Sequence, residues 1–376
     1  MLKKKGLLAS MLSFGLVLAA CGGNDETENN GGTNEAANEG TNNGEAVENN
    51  GGNEEAVEVE AQEWRFVTEE TEGQVQNVYA EEFAELVSEK SGGQISIDVY
   101  GFGELGSEVD QVEQLSTGVV EFAIISPGFT GTLVPEGNIF ALQFLFDDDQ
   151  ELNQQVLNES EAINEHLAGK YVEQGIMPLA FWTEGAMQWT GSSALQSPDD
   201  FDGFQMRTQE SPLILESYEA YDANPTAMSW GELYTGLQQG AVEGQENPLF
   251  FIEDANFHEV QDHLTISNHN MYVTMTTVNP DFYEGLDDAT KTIVDESIEE
   301  MKSRSFEIQA EQNDAALGLI EEATDTPTEV YELSEEERDA FRELAVPVRD
   351  SYRDESEDAG MILDMLQDEI EAAQGN

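Results

Sequence analysis

Between Ser91 and Thr290 the chain carries two basic side chains, Lys170 and Arg207. Arg207 closes the apolar run GFQMRT (203–208), where the pattern predicts a strand, so its guanidinium falls at the strand's carboxyl end. Ligands of open α/β sheets bind at that end. A planar guanidinium there can clamp a carboxylate through two parallel hydrogen bonds. The residues alone leave a second reading open, a structural ion pair with one of the many acids. Lys170, in HLAGKY at a helix end, suits the negative pole of that helix. Aromatic residues stand at neighbouring strand ends. Phe129 lies in the Gly-flanked loop SPGFTG, Trp230 opens the helix WGELY, and Phe250 and Phe251 follow Asn247-Pro248 in GQENPLFF (244–251). Each can be core packing; together they form a box of π-faces suited to a flat or cationic ligand.

Catalytic constellations are weak by comparison. Four histidines, at 166, 258, 263 and 269, show no metal-ligand spacing and are expected on the surface. No GxSxG, phosphate-binding loop or GxGxxG follows a strand. With 79 acidic residues, any pairing of carboxylates is uninformative. The expectation is a binding protein and not an enzyme, with neither metal nor cofactor.

The elements that must position these residues follow from periodicity. EWRFVT (63–68) predicts a buried strand, and apolar positions 75, 78, 79, 83, 86 and 87 recur at helical spacing. QISIDVY (94–100) alternates as a strand, 107–118 is an amphipathic helix, and VVEFAII (119–125) is a strand. Strand, helix, strand, helix, strand is the order of a parallel sheet with crossovers. The theme resumes at 175–182, 203–208, the helices around 212–221 and 229–240, and the strand 271–278. Long charged helices follow, roughly 287–323, 334–350 and 357–374. GQENPLFF reads as a stop after the helix 229–240. The fold class is α/β, in two lobes.

The N-terminus has Lys3, Lys4 and Lys5 before an apolar run from Leu7 to Ala20, too short to span a bilayer comfortably. It ends in LAAC. This predicts a secretory signal over 1–20 with Cys21, the one cysteine of the chain, as the acylated first residue of a lipoprotein; a free thiol is the alternative. Residues 22–60 hold almost no large apolar side chain and are expected to form an acidic, disordered tether. Setting aside the three N-terminal lysines and the 11 acids of 22–60 leaves 11 basic and 68 acidic residues, a net of −57. Such a charge excludes binding to nucleic acid. It fits an extracytoplasmic surface adapted to salt, or to alkaline surroundings.

Several blocks resemble a known family. YGFGELGSEVDQVEQLSTGVVEFA, IFALQFLFDD and SPDDFDGFQMRTQES…ANPTAMSWGELYTGLQQGAVEGQENP are similar to the solute receptors of tripartite ATP-independent periplasmic (TRAP) transporters, over 63–376. The resemblance implies a two-lobed, periplasmic-binding-protein-like type II fold with hinge strands and a long lobe-spanning helix. It places lobe I at 61–184 plus about 273–312. Lobe II is 185–272 plus about 313–376 with the C-terminal helices. It implies a monomer that closes over a small zwitterionic or carboxylate solute and delivers it to membrane permease subunits. The family's carboxylate-binding arginine falls on Arg207, assisted by Asn247. A second arginine carried by many members falls near Met187 and is missing, which disfavours dicarboxylates. WRFVTEETEGQVQNVYAEEF and SPGFTGTLVP resemble the ectoine receptors within the family. That narrower resemblance puts the acid for the cationic ring on Glu72, with Glu70 as fallback, and the aromatic faces on Phe129, Trp230, Phe251 and Tyr272. Ectoine or hydroxyectoine is thus the expected ligand, and a 2-oxo acid or C4-dicarboxylate the alternative.

Overall fold

The computed structural model describes residues 59–323 and 328–375. Cys21, the signal and most of the tether lie outside them. Strand β1 (Gln62–Val67) alternates as its sequence requires, with Trp64 and Phe66 buried and Glu63 exposed. Helix α1 (Val75–Lys90) returns the chain, turning Val75, Tyr79, Phe83 and Val87 inward. It leads to β2 (Ile95–Tyr100), parallel to β1. Helix α2 (Glu108–Ser116) opens on a capping box between Ser107 and Asp110 and leads to β3 (Phe122–Ile125), also parallel to β1. A short 3-10 turn, Pro127–Phe129, follows, then another, Pro135–Ala141. Helix α3 (Gln150–Glu159), a π-helical turn at Ala162–Leu167 and α4 (Ala168–Val172) complete this part.

Strand β4 (Met177–Ala186) belongs to the first sheet, and β5 (Gln188–Gly191) to a second; only Met187 separates them. The chain then makes β6 (Arg207–Thr208), α5 (Pro212–Glu219), β7 (Thr226–Ala227), α6 (Trp230–Gln239), β8 (Gly244–Asn247), α7 (Leu249–Asp254) and β9 (His263–Ile266). It returns through β10 (Met271–Val278), which lies antiparallel to both β3 and β4. The first sheet has the order β2-β1-β3-β10-β4. After α8 (Pro280–Gly285), α9 (Asp288–Glu322) runs 35 residues, about 52 Å at 1.5 Å per residue, from an Asp287 cap. It packs against α1 and β4 at the first sheet and against α7 beyond the second. Strand β11 (Glu329–Glu332) completes the second sheet, β11-β9-β5-β8, and α10 (Glu335–Ala345), α11 (Val348–Glu355) and α12 (Glu357–Gln374) follow.

The chain therefore crosses between the sheets at Met187, at 267–270 and through α9. The first two crossings are tied together by Gln188, whose Nε2 donates to Asn268 Oδ1 at 2.7 Å and whose Oε1 accepts from Ser267 N at 2.8 Å. Asn268 has a left-handed φ of 44°, a conformation Asn tolerates better than most residues.

Several expectations are revised. GQEN is a strand and not a helix stop; Pro248 ends it, and Leu249 starts α7. The strand expected over 119–125 begins at Phe122, and that over 203–208 is the two-residue β6. The C-terminal helix α12, expected with the second lobe, packs on α3, the turn Ala162–Leu167 and the turn Pro135–Ala141. Lys170 stands in the last turn of α4, as expected, and also pairs with Asp358. His269 is fully buried and not on the surface: Ser267 Oγ lies 2.7 Å from Nδ1 and Glu246 Oε2 lies 2.7 Å from Nε2. Burial pushes its imidazole below the usual histidine range, despite the opposing pull of Glu246.

Candidate functional site

Arg207 begins β6, and its side chain is 2 % exposed. Nε donates to the Met228 carbonyl at 2.9 Å, which fixes the plane of the guanidinium. Among the described residues it has no ion-pair partner, so both terminal nitrogens remain available to an anion. The ion-pair reading left open by the sequence thus has no acid to support it. Desolvation lowers its pKa, with Tyr272, Glu108, Glu246 and Glu210 opposing; an arginine stays charged under such a shift.

Arg207 lines a small cavity whose walls come from both sheets. Asn247, the last residue of β8, lies there because Pro248 ends the strand pairing immediately after it. Its Nδ2 donates to Gln245 Oε1, which orients the amide. Trp230 at the start of α6, Phe251 in α7 and Tyr272 in β10 form a continuous aromatic wall. Ring centroids are 4.8 Å apart for Trp230 and Phe251 and 5.8 Å for Phe251 and Tyr272. Phe129 closes the cavity from the 3-10 turn after β3. Phe250 stacks behind Phe251 at 4.3 Å and does not reach the cavity. Of the two phenylalanines, Phe251 is the inward one.

The acid is a correction. Glu72 is exposed in the turn before α1 and does not line the cavity. Glu70 is buried, but it faces the N-terminus of α1, accepting from Gln76 N at 2.6 Å, and sits against Glu184. Of the acids in EETEG, the one in the cavity is Glu69. Its Oε2 accepts from both the backbone N (3.0 Å) and Oγ (2.6 Å) of Ser126, while Oε1 has no partner. Burial pushes Glu69 well above the usual carboxylate range, against the Ser126 hydrogen bonds. A cation beside Oε1 would reverse that shift. Sequence alone could not choose among the acids of EETEG, because the choice depends on how the backbone turns after Val67.

Two further residues escaped sequence reading. Glu108, at the start of α2, is buried, lines the cavity and accepts from Trp230 N at 3.1 Å, joining the two halves across it. It looked like an ordinary acid in a helix's first turn. Gln209, two residues beyond Arg207, lines the cavity and donates from Nε2 to Tyr272 Oη at 3.0 Å. Met187 lies in an adjoining cavity and contributes no positive charge.

A buried guanidinium, a buried carboxylate with an unpartnered oxygen, and aromatic faces between them have the chemistry to hold a small solute. Comparison with known proteins agrees with that class. The family described as bacterial extracellular solute-binding protein, family 7, matches residues 66–355. The chain is 37% identical over 312 residues to the ectoine-binding periplasmic protein TeaA of Halomonas elongata, covering 83% of this chain and 91% of that one. It is 34% identical to the ectoine/5-hydroxyectoine-binding periplasmic protein UehA of Ruegeria pomeroyi, over 80% and 88% of the two chains. A solved structure of the Halomonas elongata ectoine-binding protein superposes with a TM-score of 0.80 at 36% identity, covering 82% of this chain and 99% of that one. The chain belongs to family 7 of the bacterial extracellular solute-binding proteins, the solute receptors of TRAP transporters. It is a receptor and not an enzyme, with the two-lobed α/β fold of that family, and it works with membrane permease subunits.

Proposed function

We propose that this receptor binds ectoine or hydroxyectoine and passes it to the permease. One observation carries the reading: an unpaired guanidinium shares one aromatic-walled cavity with Glu69, whose Oε1 has no partner, and with Glu108, which is bonded to Trp230 N. A zwitterion brings an anionic end to Arg207 and a cationic end to Glu69, whereas an anion leaves the carboxylates uncompensated. Ectoine has a carboxylate for Arg207 and Asn247, ring N–H groups for Glu69, and delocalised positive charge for the faces of Phe129, Trp230, Phe251 and Tyr272. The names of the two relatives point the same way. A C4-dicarboxylate-binding relative from Rhodobacter capsulatus, 32% identical, keeps the carboxylate alternative in view. Against it, the second carboxylate of such a ligand would meet Glu69 and Glu108 and no second cation.

Glu69→Gln separates the two. The glutamine carbonyl can still accept from Ser126, so the change is chiefly one of charge. Calorimetric titration should show ectoine affinity falling at least tenfold and malate or pyruvate affinity unchanged or improved. Ectoine binding that is indifferent to Glu69→Gln, or an unmodified protein that binds malate but not ectoine, would overturn the assignment.

We infer further that Cys21 is acylated and holds the receptor at the outer face of the cell membrane, because LAAC closes a secretory signal. Cys21→Ser should release the protein into the soluble extracytoplasmic fraction. Equal membrane retention of the variant would remove the anchor from the account.

A further inference from the structure

Beside the solute cavity lies a second one. The two have two lining residues in common, Gln209 and Tyr272. Those side chains are hydrogen bonded to each other, Gln209 Nε2 to Tyr272 Oη at 3.0 Å. The amide is also braced from behind. A Cβ placed on Gly128 would stand 2.0 Å from Gln209 Oε1, so the Gly128 backbone packs directly against the amide, and any larger residue would have to displace it. The partition between the cavities is thus one amide, held by a phenol on one side and a bare backbone on the other.

The second cavity is polar enough to take hydroxyl groups. Asn138, Ser211, Glu246 and Asn270 line it alongside Met187 and Phe140. Ser211 Oγ donates to Asn138 Oδ1 at 2.6 Å, and Asn270 Nδ2 donates to the Phe140 carbonyl at 2.9 Å. Gln209 is two residues from Arg207 in the chain, so the partition stands next to the anchor for a carboxylate.

We propose that Gln209 is the specificity-determining wall of this receptor: it limits the solute to a compact one, and its removal opens the second cavity to longer hydroxylated monocarboxylates. The inference rests on the reading of the first cavity as the solute site, but not on ectoine being the solute. Its chemistry is steric exclusion. A sugar acid anchored at Arg207 would have to place its polyol tail where the amide stands, whereas a small ring ends before it. Tyr272 is the weaker candidate for the wall, because its ring also belongs to the aromatic face that the solute contacts.

The test compares three variants by calorimetric titration with D-galacturonate and one compact solute. The compact solute is whichever of ectoine, pyruvate or malate the unmodified protein binds, so failure of ectoine leaves the ratio readable. Gln209→Ala removes the wall and should improve galacturonate affinity relative to the compact solute at least tenfold. Gln209→Leu keeps the bulk without the hydrogen bond and should change that ratio less than threefold. Gly128→Ala displaces the amide without altering Gln209 and should move the ratio in the same direction as Gln209→Ala, by threefold or more. A galacturonate preference unchanged in both alanine variants overturns the inference, as does an equal shift in Gln209→Leu, which would assign the effect to a polar contact. If Gln209→Ala fails to fold, Gly128→Ala decides alone. Failure of ectoine with a normal shift in the ratio would reject the ectoine assignment and leave the wall intact.

Discussion

Replacing Arg207 should move affinity and stability in opposite directions. Its side chain is 2 % exposed, one nitrogen is committed to the Met228 carbonyl, and no carboxylate pairs with it among the described residues. In the solute-free protein this buried cation is opposed only by carboxylates that do not pair with it, Glu108, Glu246 and Glu210. Arg207→Ala removes that desolvation cost, so the melting temperature without solute should stay the same or rise. Binding behaves differently. A solute carboxylate would lose a charge-assisted, two-point contact in a closed cavity, a loss of about 2–5 kcal/mol. At about 1.4 kcal/mol per decade, the dissociation constant should rise roughly 30- to 4,000-fold. Arg207→Lys should fall between, because an ammonium cannot make the planar fork and the Met228 contact together. Calorimetry gives the affinities, and thermal unfolding with and without solute gives the stabilities. An alanine variant within threefold of the unmodified affinity would refute the clamp. A variant that loses binding and also melts well below the parent would show that Arg207 is a structural residue instead.

Other predictions concern the buried carboxylates and the aromatic wall. Burial pushes Glu184 up to about 7 from an ordinary 4.5, and its neighbour Glu70 is also raised, by burial first and by Glu184 second. A raised acid favours the folded state below the unfolded pKa and loses that contribution as pH climbs through the folded value. Solute-free stability should therefore fall between about pH 4.5 and 7, by on the order of 3 kcal/mol for Glu184. Glu184→Gln should flatten the profile in urea unfolding; an unchanged slope would place the titration elsewhere. Affinity for a zwitterion should run the other way, strengthening as rising pH ionises Glu69, whose own carboxyl is held high by burial; a pH-independent constant would exclude Glu69 as the cation's partner. Phe251→Ala should weaken a planar solute by about 1 kcal/mol or more beyond lost area, since its ring bridges Trp230 and Tyr272; Phe250→Ala should cost stability more than affinity.

What the sequence made legible followed from scarcity and periodicity. Arg207 stood out because the surrounding two hundred residues offer almost no other cation. Helices α1, α2 and α9 were visible because each carries a long apolar stripe or a clear cap. Glu69 was not separable from Glu70 and Glu72, because three acids fall within four residues and only the backbone path past Val67 turns one into the cavity. Glu108 and Gln209 were hidden for a different reason: their partners, Trp230 and Tyr272, are 122 and 63 residues away. The destination of α12 was equally opaque, since an amphipathic face announces that it will be buried but not against what.

The charges also imply how the receptor must move. Glu69 and Arg207 are both buried in the described structure, and neither has an ion-pair partner there. Keeping Arg207 charged and Glu69 ionisable in a dry cleft without a solute costs free energy that an open, hydrated cleft would avoid. A zwitterion reverses the balance by pairing with both at once, so closure and recognition become one step. The strand connections for such opening are Met187 and 267–270, linked through Gln188 and Asn268. The contacts that must part include Gln74 Nε2 to Asp254 Oδ2 at 2.7 Å, Trp230 N to Glu108 at 3.1 Å and the ring contact of Phe251 with Tyr272. Small-angle scattering of the solute-free protein should therefore show a larger radius of gyration than the closed form, shrinking as solute is added. Gln74→Ala should weaken binding severalfold while leaving the solute-free profile unchanged, because that contact exists only when the cleft is shut. A profile that never changes with solute would mean that the charges are tolerated closed, and the coupling of pairing to closure would fail.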